Sequence, residues 1–297
     1  MAIATAPDGT RINYEMAGPP HGTPVMFIQG LGADHHAWLR QRRAFRSRYR
    51  CIFPDNRGVG GSDAPPAPYD LEEMGRDLVA VLDAEGIASA HIVGASMGGV
   101  LSQILAVRHP ERVRSLTLAC TACHHHAWRR ELLADWARMA EEQGMAGMMR
   151  SAPRWLVGHR SLRRFSPVFS LLGPLALRVE PEPFVAQVRA ILDMDDALRN
   201  ELHQVDVPAL VITGSQDILT PISDAEELAD LLPNSELAMV RGAAHGFMFE
   251  QAGTFNRIVG DFLKRVVRGD GDGHQLPISA TDIRGNIPAD LHAVAGN

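Results

Sequence analysis

Gly94-Ala95-Ser96-Met97-Gly98 follows an apolar run, Ala90-His91-Ile92-Val93, and opens a segment, 97–108, of helical character. A strand that feeds a helix through so short a stretch must turn sharply. Such a turn forces its central residue into strained backbone angles and lifts that side chain clear of the sheet. Glycines two before and two after the serine remove the Cβ atoms that would collide. The new helix N-terminus favours developing negative charge nearby. The pattern G-x-S-x-G is common by itself; its place between a strand and a helix is what makes Ser96 a candidate nucleophile.

Outward from that turn the chain alternates. Residues 2–6 and 11–17 read as strands joined at Pro7-Asp8-Gly9, a hairpin signal. Val25-Met26-Phe27-Ile28 and Cys51-Ile52-Phe53 are continuous apolar runs, suited to strands buried on both faces, with helical character at 36–46 between them. Leu71, Met74, Leu78, Val81 and Leu82 repeat at helical spacing, with Asp70 and Glu73 as a capping box and Gly86 as the stop. Val113 to Leu118 is a further strand. Strand and helix alternate again at 209–212, 223–232, 236–240 and 254–266. Such alternation predicts a mostly parallel sheet flanked by helices. Between about 122 and 205 the pattern is helical throughout and punctuated by prolines. That block is an insertion after the sixth strand.

A serine hydroxyl needs a neighbouring base. Of thirteen histidines, His245 stands in Gly242-Ala243-Ala244-His245-Gly246-Phe247, just past a strand and before the last helix. Asp217 stands in Gly214-Ser215-Gln216-Asp217, just past the strand 209–213. Strand ends on one edge of a parallel sheet converge on one crevice, so Ser96, Asp217 and His245 are expected to meet there. Asp224, at the start of the next helix, is read as a cap.

The chain order Ser, Asp, His, with the G-x-S-x-G turn, resembles the α/β-hydrolase superfamily over about residues 2–121 and 206–266, on the side of its serine esterases and enol-lactonases. Asp55-Asn56-Arg57-Gly58-Val59-Gly60-Gly61-Ser62 is similar to the family's D-x-R-G-x-G-x-S stretch and is given no catalytic role. The resemblance implies the α/β-hydrolase fold, with 1–121 and 206–267 as its core, 122–205 as a helical cap and 268–297 as a C-terminal tail. It implies an oxyanion hole from the backbone amides of Met97 and Leu31. Gln29-Gly30 stands where many relatives have His-Gly; a backbone donor survives that change. The implied reaction attacks a carbonyl with Ser96, uses His245 as base and Asp217 as its orienter, and passes through an acyl-enzyme. No metal or organic cofactor is called for.

A helical cap of this kind roofs the crevice and selects the substrate. Gln29, Trp155, Phe165, Phe169 and Phe247 are the candidate substrate contacts, with Leu156 and Leu171 adding to an apolar acyl pocket. Six arginines (150, 154, 160, 163, 164, 178) and no acid lie between Gln143 and Val179. They are weighed as a site for a carboxylate-bearing substrate against a solvated face or subunit interface, and the surface reading is favoured. Cys120, Cys123 and His124 to His126 lack a second ligand pair and are read as hinge residues, not a metal site. The methionines at 139, 145, 148 and 149 are read as adaptable packing.

Composition gives no sign of a nucleic-acid partner. The net charge is −6, and one lysine, Lys264, stands among arginines, so no basic face for nucleic acid is expected. Three cysteines fit a reducing compartment, and no signal peptide or spanning segment is visible; a cytoplasmic enzyme is expected. Nothing decides between a monomer and a homo-oligomer. The triad does not separate ester from lactone, thioester or a C–C bond beside a ketone, nor water from another acyl acceptor. The rival of another class is a non-catalytic small-molecule receptor, which would more often have lost one of the three residues.

Overall fold

The computed structural model describes residues 1–158 and 179–269. Eight strands form one sheet in the order β1-β2-β4-β3-β5-β6-β7-β8. They are β1 (Ala2–Thr5), β2 (Arg11–Ala17), β3 (Thr23–Ile28), β4 (Tyr49–Pro54), β5 (Ala90–Ala95), β6 (Val113–Ala119), β7 (Ala209–Gly214) and β8 (Ser235–Val240). β2 runs antiparallel to β1 and β4, and the strands from β4 to β8 are parallel. The expected hairpin closes at Gly9, whose φ is +91°, with Asp8 accepting from the Thr10 amide at 2.9 Å.

Alternation sorts each strand's side chains onto two cores. Met26 and Ile28 face one side, with Ile92, Leu116 and Leu118. There they meet Leu78 and Val81 of the helix Leu71–Ala84, and Leu101 and Leu105 of the helix Met97–Arg108. Val25 and Phe27 face the other side with Val93, Ile212 and Phe53, against Trp38, Phe45 and the helix Ala252–Arg268 through Phe255, Val259 and Phe262. Burial on both faces explains why these strands read as continuous apolar runs. The helix Leu71–Ala84 begins where Asp70 accepts from the Glu73 amide at 2.9 Å, as its capping box predicts.

Between β6 and β7 the described residues form helices Ala127–Ser151, Pro153–Leu156, Pro181–Asp193 and Ala197–Glu201. The first is not one uninterrupted helix: Gly144, at φ +68° and ψ 178°, breaks it. One departure from the helical expectation is an isolated antiparallel bridge between Val59 and Val179. The sequence reading of 36–46 as helix resolves into a tight turn, His35–Trp38, followed by the helix Leu39–Phe45. Among the described residues no helix is long and apolar enough to cross a membrane. The tail assigned to 268–297 lies almost wholly outside the described residues.

Candidate active site

Ser96 sits between β5 and the helix Met97–Arg108 at φ 55° and ψ −122°. Ser96 and Cys120 are the two non-glycine residues of positive φ among the described residues, and they end neighbouring strands. Such a conformation costs free energy and persists because its surroundings over-determine it. The Ser96 amide donates to Ala119 O at 2.9 Å, and its carbonyl accepts from Thr121 Oγ1 at 2.7 Å and the Gly99 amide at 2.8 Å. The flanking glycines are required: a Cβ on Gly94 would overlap Gly98 O, and one on Gly98 would overlap Ile28 O.

Asp217 and His245 leave the ends of β7 and β8 and are buried. Gly214 lets these loops close up, since a Cβ there would overlap Ala243 O. His245 Nδ1 lies 2.9 Å from Asp217 Oδ2. Thr220 Oγ1 donates to the same oxygen at 2.8 Å and stands 3.2 Å from His245 Nδ1. The amides of Leu219 and Thr220 donate to Asp217 Oδ1, each at 2.9 Å. A carboxylate and a hydroxyl whose proton is already committed can only accept, so His245 Nδ1 carries a proton and Nε2 faces away from the pair. Burial pushes the Asp217 carboxyl up. The charge of His245, with hydrogen bonds from His245 and Thr220, outweighs it and holds the group below its ordinary value. Thr220 was not singled out in the sequence, although Asp-x-x-Thr after a strand is a local hydrogen-bonding pattern of known type.

Asp224 is placed elsewhere. Its carboxylate pairs with Arg129, which is also buried and donates to Leu219 O at 2.8 Å and His124 O at 2.9 Å. Asp224 therefore anchors the helical block and does not touch His245.

Ser96 and His245 line one cavity of about 580 Å³, together with Gln29, Gly30, Leu31 and Met97. No hydrogen bond joins Ser96 Oγ to His245 among the described residues. In the loop after β3 the Gly30 amide donates to Gln29 Oε1 at 2.8 Å and the Gly32 amide to Gln187 Oε1 at 3.0 Å. The Leu31 amide between them has no partner among the described residues. Neither has the Met97 amide, the first of its helix. Two unsatisfied backbone donors thus flank Ser96. Cys120 also lines the cavity, but burial and then the charge of Asp217 push its thiol well above its ordinary value, so it stays protonated.

The far wall is mostly apolar: Leu133, Met148, Met149, Leu156, Val157, Phe184 and Ile191 from the helical block, with Val100, Leu219, Met248 and Phe249, while His125 and Arg129 of the block also line it. Met148 and Met149, read as packing residues, are part of this wall. Two expected contacts need correction. Phe247 points into the core, fully buried, its ring 5.6 Å from that of Phe255; its neighbours Met248 and Phe249 reach the cavity instead. Trp155 packs on the core under the Arg154 guanidinium, while Leu156 and Val157 beside it line the wall. Phe165, Phe169 and Leu171 lie outside the described residues, as do Arg160, Arg163, Arg164 and Arg178. Arg150 and Arg154 are exposed and do not line the cavity. His124 and His126 turn to Asp196 and Asp224 instead of converging with Cys120 and Cys123.

The comparisons with known proteins agree with this fold. Residues 23–146 match the family described as alpha/beta hydrolase fold, and residues 192–274 match that described as TAP-like protein. A 3-oxoadipate enol-lactonase of Acinetobacter baylyi is 31% identical over 258 residues, covering 86% of this chain and 93% of its own. RutD of Azorhizobium caulinodans, whose name proposes carbamate hydrolysis, is 30% identical over 85% of this chain and 95% of its own. Among solved structures, the enol-lactonase of Burkholderia xenovorans LB400 superposes with a TM-score of 0.82 at 28% identity, over 89% of this chain and all of that one.

Proposed function

This chain belongs to the α/β-hydrolase family, and from that premise we propose that it is a serine hydrolase opening a small carboxylic ester or lactone through an acyl-enzyme on Ser96. The observation that carries the reading is the buried Asp217–His245 pair, with Nδ1 2.9 Å from Oδ2, opening on the cavity that holds Ser96 at a strained strand–helix turn.

In this reading His245 Nε2 takes the Ser96 proton as Oγ attacks the carbonyl carbon. Asp217 and Thr220 fix the tautomer and stabilise the imidazolium that forms. The amides of Leu31 and Met97 receive the oxyanion; as backbone donors already in place they need no reorganisation during the step. His245 returns its proton to the leaving oxygen, and water repeats the sequence to release the acid. In a lactone the leaving oxygen stays tethered to the acyl chain. The apolar wall favours an acyl group without charge near the reacting carbon. The enol-lactonase relatives support the ester or lactone as the bond cleaved.

The test is turnover of a panel of p-nitrophenyl esters and simple lactones by the wild type and by folded Ser96→Ala. Hydrolysis by the wild type, abolished in the variant, is the expected result. Rates equal to buffer with every substrate, or turnover that survives the substitution, would defeat the proposal.

A further inference from the structure

The Leu31 amide lies on a loop whose position is set from the opposite side of the cavity. Gln187 projects from the helix Pro181–Asp193 and is fully buried. Its Oε1 accepts from the Gly32 amide at 3.0 Å, and its Nε2 donates to Arg57 O at 2.9 Å. Both partners lie more than a hundred residues away in the chain. Arg57 is a fixed point, held by Asp77 through two hydrogen bonds of 2.7 Å. Gln187 therefore ties the loop after β3 to the backbone of a residue whose side chain is anchored in a buried ion pair. The contact is close: Gly32 has φ +68°, and a Cβ there would come within 2.9 Å of the Phe184 ring, one turn before Gln187.

The consequence falls on Leu31. With the Gly30 amide held by Gln29 and the Gly32 amide held by Gln187, the peptides on both sides of the Leu31 amide are anchored, and the Leu31 amide itself has no partner among the described residues. Were Gln187 unable to accept, the buried Gly32 amide would turn to find another partner, and the Leu31 amide would turn with it. We infer that Gln187 is a positioning residue for acyl transfer, through which the helical block sets the direction of the Leu31 oxyanion donor. This inference rests on the serine-hydrolase reading above. It assigns the block a part in the chemical step as well as in roofing the substrate.

An oxyanion donor acts on the transition state and hardly on the bound ester. Gln187→Met, close to isosteric but without polar atoms, should lower kcat by about 10- to 100-fold, the scale of a displacement of ~1 Å in an active site. KM should change by less than about threefold. Affinity for a trifluoromethyl ketone, which forms an oxyanion adduct with the serine, should fall in parallel with kcat/KM. Measurements belong well below the melting temperature of each variant, so that a fall in stability alone does not enter. If Gln187→Met does not fold, Gln187→Asn keeps the amide but withdraws it by one methylene, and should show the same split between kcat and KM. Wild-type kcat and ketone affinity in a folded variant would overturn the inference, as would a loss confined to KM. Turnover surviving in Ser96→Ala overturns the underlying reading as well. Turnover lost in Ser96→Ala but intact in the Gln187 variants overturns the inference alone.

Discussion

The two sides of the cavity are built by different means. On the sheet side, the residues of the proposed triad are held by backbone and by neighbours in the chain: Ser96 by the turn it belongs to, and Asp217 by the amides of Leu219 and Thr220. On the helical side, the attachments are long-range. Gln187 reaches the loop after β3, Arg129 reaches Leu219 O beside Asp217, and Leu156 O accepts from the Gly246 amide beside His245 at 2.6 Å. In the proposed mechanism the sheet edge supplies the reacting groups, and the block fixes three of the loops that carry or flank them. Asp217 and Asp224 are the sharpest instance. Both are buried and only seven residues apart, yet one faces His245 and the other Arg129 of the block.

If that division holds, substitutions on the sheet edge should remove activity, and substitutions at the anchors should mainly cost stability or geometry. The largest effect is expected from Ser96→Ala, a loss of about 10⁶ in kcat with folding retained. Next, Asp217→Asn should cost about 10⁴ in kcat by presenting His245 with the wrong tautomer partner. Asp224→Asn should leave kcat within about fivefold yet lower stability by about 3 kcal/mol, because it strands a buried guanidinium. Steady-state kinetics and urea unfolding on the same two variants check both halves. An Asp224→Asn enzyme as inactive as Asp217→Asn would erase the contrast.

Asp217 also has a signature in acid. Its folded value lies below the ordinary 3.8, so its stabilising contribution is present above 3.8 and is lost as pH falls through the folded value. Asp217→Asn lacks that contribution, and its unfolding free energy should vary less than the wild type's over roughly pH 5 to 2. Equal pH dependence in the two proteins would show that Asp217 is not held as an ion.

Two glycines compare the regions directly. A Cβ on Gly98 would overlap Ile28 O, and Gly98→Ala should cost more than about 3 kcal/mol or block folding. Gly144, in the block, has φ +68° and ψ 178°, a conformation nearly confined to glycine, but open space around it, so Gly144→Ala should cost about 1–3 kcal/mol of backbone strain and nothing from overlap. Thermal or urea unfolding ranks them, and equal costs would contradict the packing difference. The smallest effect is expected at the apolar wall. Met148→Ala should raise KM for longer acyl esters by a few fold, about what a lost apolar contact is worth, and leave acetate esters unchanged.

The same contrast explains what the sequence revealed. Gly94 to Gly98 could be read because the need for glycine on both sides of Ser96 is written in the turn's own sequence. Asp217 and His245 were legible from their places after predicted strands, since a parallel sheet brings those ends together. Gln187 and Arg129 were not, because a polar residue in a helix carries no mark of a partner more than eighty residues distant. Phe247 was misplaced for another reason. Consecutive residues of a helical turn point about 100° apart, so Phe247, Met248 and Phe249 cannot all face one cavity, and three apolar residues in a row do not say which one turns to the core. Packing against Phe255 decides it.

The central claim, that Ser96 is the nucleophile of this site, is tested most directly by reaction with a fluorophosphonate followed by intact-protein and peptide mass spectrometry. A single adduct on the peptide containing Ser96, absent from folded Ser96→Ala, is the predicted result. An adduct on a different residue, or one that persists in folded Ser96→Ala, would contradict it.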